Sequence, residues 1–369
     1  MKAIALVPGT TDLRMVDRPE PVVGADDEVK VRVLEVGICG TDREEAAGGR
    51  ARAADGRTDL IIGHEMLGRV VAVGRSVRRV SPGDLAVVTV RRGCSRCGPC
   101  SRGRPDMCRT GDYRERGIWG LDGFQTELVV DREEHVVPVP AELRELGVLT
   151  EPLSVAEKAI EEAVTLQAAR LPDETAASTW LGGRRCLVAG LGPIGLLAAL
   201  ALRLRDAEVW GLDIVAPDTA RAEVLRALGG RYLDGRQRAS RDLAAQVGAM
   251  DLVVEATGVP ALAFDLLDAL ALDGLCVLTG IPGGDRPLQV PGAEIVRRLV
   301  LGNRIILGSV NAAPRHFQMA VEDLARARRR WGARLNGLVT HRHPAADFRV
   351  ALAHGGDEEI KVVLEWPEP

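Results

Sequence analysis

The segment Arg185–Leu202, R-C-L-V-A-G-L-G-P-I-G-L-L-A-A-L-A-L, constrains this chain more than any other. An apolar run suited to a buried strand enters Gly190, Gly192 and Gly195, and an apolar helical pattern follows at once. The G-x-G-x-x-G spacing acquires meaning in that strand-turn-helix setting, where glycines permit a tight turn and close backbone approach while the helix N-terminus faces a phosphate. A dinucleotide pyrophosphate is expected here; the competing reading is an ordinary Gly-rich turn. A second apolar run ends in Gly211-Leu212-Asp213, and Asp213 follows Gly190 by 23 positions, close to the roughly 20 expected of an acid that hydrogen-bonds the adenosine ribose. A 2′-phosphate about 4 Å from that carboxylate would meet about 1 kcal/mol of repulsion per charge in water and about 4 kcal/mol at an effective dielectric of 20. The first basic residue downstream is Arg221. NAD is therefore favoured over NADP, unless Asp213 merely caps the next element.

Around this turn, apolar runs at Arg185–Ala189, Glu208–Leu212, Asp251–Glu255, Leu275–Thr279 and Arg304–Gly308 alternate with helical patterns, which predicts an α/β domain with a doubly wound parallel sheet. The preceding 150 residues read differently. Short Val- and Leu-rich runs at Glu28–Val36, Met66–Val73, Leu85–Val90 and Glu127–Val130, separated by Gly and Pro, predict an irregular, largely antiparallel β domain. A charged helix (Phe317–Arg330) and a strand (Ile360–Leu364) return to that first style. The predicted division is 1–155 with 311–369, and 156–310, with a helix over Leu153–Ala169 carrying the chain between the two. A length of 369 residues fits two domains.

Aromatic residues are 3% of the chain, so the cores must be largely aliphatic and a nucleic-acid surface would lack stacking platforms. Lys and Arg total 48 against 52 Asp and Glu, leaving no excess for a polyanion. The most apolar stretch, Leu187–Leu202, is interrupted by Gly190, Gly192, Pro193 and Gly195 and falls short of the roughly 20 apolar residues of a membrane span. With no apolar leader in MKAIALVPGTTDLRMVD, a cytoplasmic protein without membrane or nucleic-acid partners is expected.

Seven cysteines make an odd count, and four fall within fifteen residues: Cys94, Cys97, Cys100 and Cys108, spaced C-x2-C-x2-C-x7-C. In a reducing compartment such clustering points to metal before disulfide. A Gly- and Pro-studded loop with no core of its own fits structural Zn²⁺, worth roughly 10–16 kcal/mol in peptides; an iron–sulfur cluster or disulfides are the alternatives. Cys186 and Cys276 lie in apolar runs and are expected to be buried packing residues. Cys39, His64 and the carboxylates of Glu65 and Glu151, from three separate segments, make the ligand set of a catalytic zinc with an open position. Taken singly, Cys39 could be a small core residue and His64 a satisfied imidazole. His341 and His343 would share one face of a strand, but Pro344 and polar neighbours suggest a surface loop. His135, His316 and His354 have no evident partners.

Together these residues resemble the zinc-dependent medium-chain dehydrogenases/reductases, over nearly the whole chain. Details look most like the microbial glucose dehydrogenase branch: C-G-T-D-R-E at Cys39–Glu44, G-H-E at Gly63–Glu65, E-R-G-I at Glu115–Ile118, E-P-L-S-V at Glu151–Val155 and G-N-R-I-I-L-G-S-V-N-A at Gly302–Ala312. The resemblance implies a GroES-like catalytic domain and a Rossmann domain, one catalytic and one structural Zn²⁺, and a homodimer or homotetramer. It implies that Cys39, His64, Glu65 and Glu151 surround the catalytic zinc directly or through water. Thr41 would exchange a proton with the substrate, and Glu44 stands where relatives often carry a relay histidine. Glu115, Glu151 and Asn311 would contact sugar hydroxyls. Pro193 and Ile194 within the glycine turn, with Thr257 and Asn311, would complete the cofactor site. One departure is Leu212-Asp213-Ile214, where this branch often has basic residues for NADP. A second is the group Arg102, Arg104, Arg109, Arg114 and Arg116 near Glu115, either a solvated face or a means of receiving an acidic substrate. A dehydrogenase acting on a sugar or polyol such as glucose is expected. The alternatives are a dehydrogenase of an aminocyclitol or modified sugar and a non-enzymatic nucleotide-binding protein.

Overall fold

A computed structural model describes residues 1–171, 179–237, 242–284, 286–353 and 355–368. His354 lies outside the described residues. They form two compact units, one of residues 1–154, 311–329 and 335–369, the other of 155–310 and 330–334.

The first unit is built on the strand Glu28–Ile38, whose burial becomes continuous from Val33 onward. It pairs antiparallel with Glu65–Val73, with Leu128–Arg132 and with Lys361–Glu365. The sheet order runs Val136–Val139, Leu85–Val88, Glu65–Val73, Glu28–Ile38, Lys361–Glu365, Val339–Pro344. Its core is aliphatic, with Phe124, Phe348 and Trp366 among the few aromatics. Short strands sustain this irregular β fold because its many turns are satisfied by local backbone hydrogen bonds. His341 and His343 lie on the strand Val339–Pro344 rather than on a loop: the segment pairs in parallel with Lys361–Glu365, and the two rings stack with centroids 6.4 Å apart. Pro344 is tolerated because it ends an edge strand.

The second unit carries six parallel strands in the spatial order Arg231–Asp234, Glu208–Asp213, Arg185–Ala189, Met250–Glu255, Leu270–Leu278, Ile305–Gly308. Numbered along the chain this is 3-2-1-4-5-6, the Rossmann arrangement that reverses direction at the first strand. Helix Pro193–Leu204 packs nine buried residues against the sheet, from Gly195 to Leu204. Cys186 and Cys276 are fully buried in neighbouring strands, as packing residues should be. The strand around Cys276 starts five residues earlier than the apolar run suggests, because its first residues include exposed Leu272 and partly exposed Ala271 and Asp273. Helix Thr150–Arg170 spans the boundary between the two groups of residues. No helix among the described residues is long and apolar enough to cross a membrane.

Candidate active site

Cys39 ends the strand Glu28–Ile38 and N-caps the helix Gly40–Ala46. Its Sγ accepts from the Thr41 backbone N–H at 3.2 Å, and Asp42 Oδ2 accepts from the Cys39 N–H at 2.9 Å. This reciprocal cap fixes the thiol at the strand-to-helix corner. His64 and Glu65 arrive on the adjacent strand, where Glu65 is the register partner of Gly37. A Cβ on Gly37 would lie 2.1 Å from Glu65 Oε2, so any larger residue there would push the carboxylate out of place.

The result is a buried cluster. Cys39 Sγ lies 3.1 Å from His64 Nε2, and one donor atom each from Cys39, His64 and Glu65 falls within 4.8 Å of the others. His64 Nδ1 faces Asp42 Oδ1 at 3.7 Å, and neither atom has a hydrogen-bond partner among the described residues. A carboxylate behind the imidazole is how metal-binding histidines are oriented. Burial pushes the Cys39 thiol up, a penalty that a bound cation reverses by stabilising the thiolate. Sulfur and imidazole 3.1 Å apart with a carboxylate oxygen close by are donor types that suit zinc. Burial pushes Glu151 up to about 7, with His64 acting in the opposite direction. Glu151 thus faces the same charges, at the start of helix Thr150–Arg170.

Lys361 was not singled out by sequence reasoning. Its Nζ donates to both Glu65 carboxylate oxygens, at 2.8 and 2.6 Å, and to the Ile38 carbonyl at 3.1 Å. Its burial opposes the charged ammonium most strongly, but Glu65, Cys39 and Glu151 together outweigh this and the net shift is upward. An isolated lysine before the apolar run Val362–Leu364 was the available signal. Glu45 was missed too. Three residues after Asp42 on one helix face, it is fully buried, both carboxylate oxygens lack partners among the described residues, and burial beside Asp42 pushes it up to about 8. Glu44 is exposed, one turn beyond Thr41.

Glu115 and Asn311 are brought together: Asn311 Nδ2 donates to Glu115 Oε1 at 2.6 Å. Asn311 holds a left-handed conformation at φ 62°, and its Oδ1 accepts the Ala312 N–H at 2.7 Å. Of the nearby arginines, Arg104 binds Asp106, Arg114 reaches Asp55, and Arg116 binds Asp131. The Arg104 and Arg116 pairs are largely buried, whereas the Arg114 pair is exposed to solvent. His135, beside Glu134, and His316, whose Nδ1 accepts the Ala313 N–H, are likewise held by local contacts.

Cys94, Cys97, Cys100 and Cys108 place four sulfurs within 4.8 Å of one another with no disulfide. Cys94 and Cys100 sulfurs are 3.9 Å apart, matching the edge of about 3.8 Å of a tetrahedron with metal–sulfur bonds of about 2.3 Å.

In the second unit, Gly190 (φ 88°) ends the first strand beside Thr257, and a Cβ on Gly195 would sit 1.7 Å from the Gly190 carbonyl oxygen. Gly192 meets nothing within 4 Å, leaving an open cradle before Pro193 and Ile194 at the helix N-terminus. That cradle fits a pyrophosphate. Asp213 Oδ2 accepts the Leu191 N–H and Oδ1 the Ile214 N–H, both at 2.7 Å, with Arg221 at 4.0 Å. It orients the turn itself as well as ending its own strand. Buried Glu255 holds the Thr257 and Gly258 N–H groups at 2.6 and 3.0 Å, a role its place in an apolar strand did not announce.

Comparison with known proteins agrees with this geometry. The alcohol dehydrogenase GroES-like domain model matches residues 25–141, and the glucose dehydrogenase C-terminus model matches residues 144–366. Glucose 1-dehydrogenase of Methanocella arvoryzae is 39% identical over 369 residues, covering 99% of each chain. The chain belongs to the zinc-dependent medium-chain dehydrogenases/reductases, in the glucose dehydrogenase branch. Glucose 1-dehydrogenase of Thermoproteus tenax is also 39% identical, over 99% of both chains. Haloferax mediterranei glucose dehydrogenase, solved in complex with NADP, Zn and gluconolactone, superposes with a TM-score of 0.88 at 32% identity over 100% of both chains. Membership of this dehydrogenase branch accounts for the joint presence of a Rossmann turn, a four-cysteine lobe and the Cys39 cluster.

Proposed function

We propose that this protein oxidises the anomeric hydroxyl of an aldose of the glucose class to the lactone, passing the hydride to NAD. The observation that carries the reading is the buried Cys39–His64–Glu65 cluster with Thr41 one residue inside the same helix. Zinc held by Cys39 and His64, with Glu65 and Glu151 as exchangeable carboxylates, supplies Lewis acidity toward the sugar oxygen, while the nicotinamide supplies the hydride acceptor. Thr41 takes the hydroxyl proton, and exposed Glu44, three residues on and therefore on the same helix face, releases it to solvent. Glu115 and Asn311 hold the sugar hydroxyls. Gly190, Gly192, Pro193, Ile194, Gly195 and Thr257 receive the cofactor, and Asp213 disfavours a 2′-phosphate. Cys94, Cys97, Cys100 and Cys108 hold the structural zinc. The enzyme is cytoplasmic and a homodimer or homotetramer.

The test is a turnover screen of the zinc-loaded protein with NAD and NADP against free aldoses, sugar acids, polyols and aminocyclitols. Glucose or a close aldose is expected to give the highest kcat/KM, with NAD at least about tenfold better than NADP. A clear NADP preference overturns the role given to Asp213. Oxidation of an aminocyclitol in place of aldoses overturns the substrate assignment and leaves the chemistry standing.

A further inference from the structure

Arg91 and Glu115 are direct register partners on the short antiparallel pair Arg91–Arg92 and Arg114–Arg116, so their side chains share a face. Arg91 Nε and Nη2 donate to Glu115 Oε1 at 3.0 and 2.8 Å. Asn311 Nδ2 donates to the same oxygen. Among the described residues, every donor to this carboxylate falls on Oε1, which leaves Oε2 as an acceptor for something else. The remaining arm of the guanidinium, Nη1, donates to the Asp106 carbonyl at 3.1 Å. Asp106 lies in the 3-10 turn Pro105–Met107, which ends at Cys108. The ring of Tyr113 lies 4.1 Å from the guanidinium carbon, and Arg91 is buried. The chain just beyond Arg92 is also packed on the cysteine lobe, since a Cβ on Gly93 would lie 2.5 Å from Cys100 Sγ.

We propose that Arg91 is a positioning residue that ties the four-cysteine lobe to the sugar-recognition carboxylate. By occupying Oε1 with a rigid fork, it leaves Glu115 Oε2 as the acceptor for a sugar hydroxyl. By anchoring its third arm on the Asp106 carbonyl, it makes that arrangement depend on the lobe being closed around Cys108. A lysine cannot substitute, because one ammonium on a flexible stem does not present three donors in a fixed plane. The proposal rests on the sugar-dehydrogenase reading, and the experiment separates the two.

Full-length, metal-loaded Arg91→Lys, Arg91→Gln, Glu115→Gln and the Arg91→Lys/Glu115→Gln double variant are compared by steady-state kinetics with D-glucose, by calorimetric titration of glucose and cofactor, and by zinc content. Glu115→Gln and Arg91→Lys are each expected to raise the glucose KM and Kd about tenfold. Cofactor Kd should stay within about twofold, and the double variant should be no worse than the single ones, since both act on one contact. Cys108→Ser should raise the glucose KM in the Arg91 background and add nothing to Arg91→Gln. An unchanged glucose KM and Kd in Arg91→Lys, or activity falling only in step with folded fraction, overturns the positioning role. If Glu115→Gln itself leaves glucose binding unchanged, the sugar-contact reading is the one that fails.

Discussion

The two cysteine clusters of the first unit are built in opposite ways. Cys94, Cys97, Cys100 and Cys108 come from one short stretch of turns, partly exposed, with the helix Gly98–Ser101 and one 3-10 turn between them. Cys39, His64 and Glu65 come from separate segments, and their neighbours Asp42, Glu45, Glu151 and Lys361 are all buried. The lobe has little apolar burial to hold it, so its order depends on what the thiolates bind. The Cys39 cluster sits on sheet register beside core residues Val36, Ile38, Met66 and Val362, so its geometry survives without a metal. Losing a ligand should therefore cost kcat at one cluster and, at the other, stability together with the glucose KM that Arg91 ties to the lobe.

The largest expected effect is on turnover. Cys39→Ser should lower kcat by about a thousandfold or more, equivalent to about 4 kcal/mol. Its thermal midpoint should hardly move, because serine is itself a strong N-cap, and zinc content should fall by one per chain. A stable Cys39→Ser protein that retained turnover would break the contrast. Cys97→Ser should do the reverse, lowering Tm by about 4–7 °C for a loss of about 3 kcal/mol, with kcat at saturating glucose retained by the folded fraction at low temperature and only the glucose KM raised. Equal loss of stability in both variants would remove the distinction.

Lys361→Met tests what preorganises the Cys39 cluster. It strands a buried carboxylate at Glu65 and should cost about 3–5 kcal/mol of unfolding free energy, measured in urea. Adding Glu65→Gln should recover most of that stability without restoring activity. Recovery of activity along with stability would mean that Glu65 acts only as a packing group.

Glu45 gives the smallest effect per step, read as a slope. With its carboxyl pushed up to about 8 from an ordinary 4.5, the native state keeps a proton that the unfolded chain releases between these pH values. Stability therefore falls as pH rises through that window, by up to about 1.4 kcal/mol per pH unit. Glu45→Gln should flatten the urea-unfolding profile between pH 5 and pH 8. Parallel slopes for the two proteins would show that Glu45 titrates normally and is not enclosed.

Much of this site was legible because its signals are local. Glycine spacing, cysteine spacing and the alternation of strands with helices each reflect the geometry of a few consecutive residues. The histidine pair at His341 and His343 was misassigned because proline and polar neighbours also occur on an edge strand, and pairing with Lys361–Glu365 is not written in the segment itself.

By itself the sequence determined the Rossmann turn at Gly190–Gly195 and the four-cysteine cluster, and it named Cys39, His64, Glu65 and Glu151 as candidate ligands. Only the tertiary structure decided that Lys361 closes on Glu65 across 296 positions, that Glu45 rather than Glu44 turns inward, and that Arg91 grips Glu115 from the edge of the cysteine lobe. The physical reason is register. A residue type carries its chemistry wherever it stands, but which charge it faces depends on which strands pair and which helix face is buried.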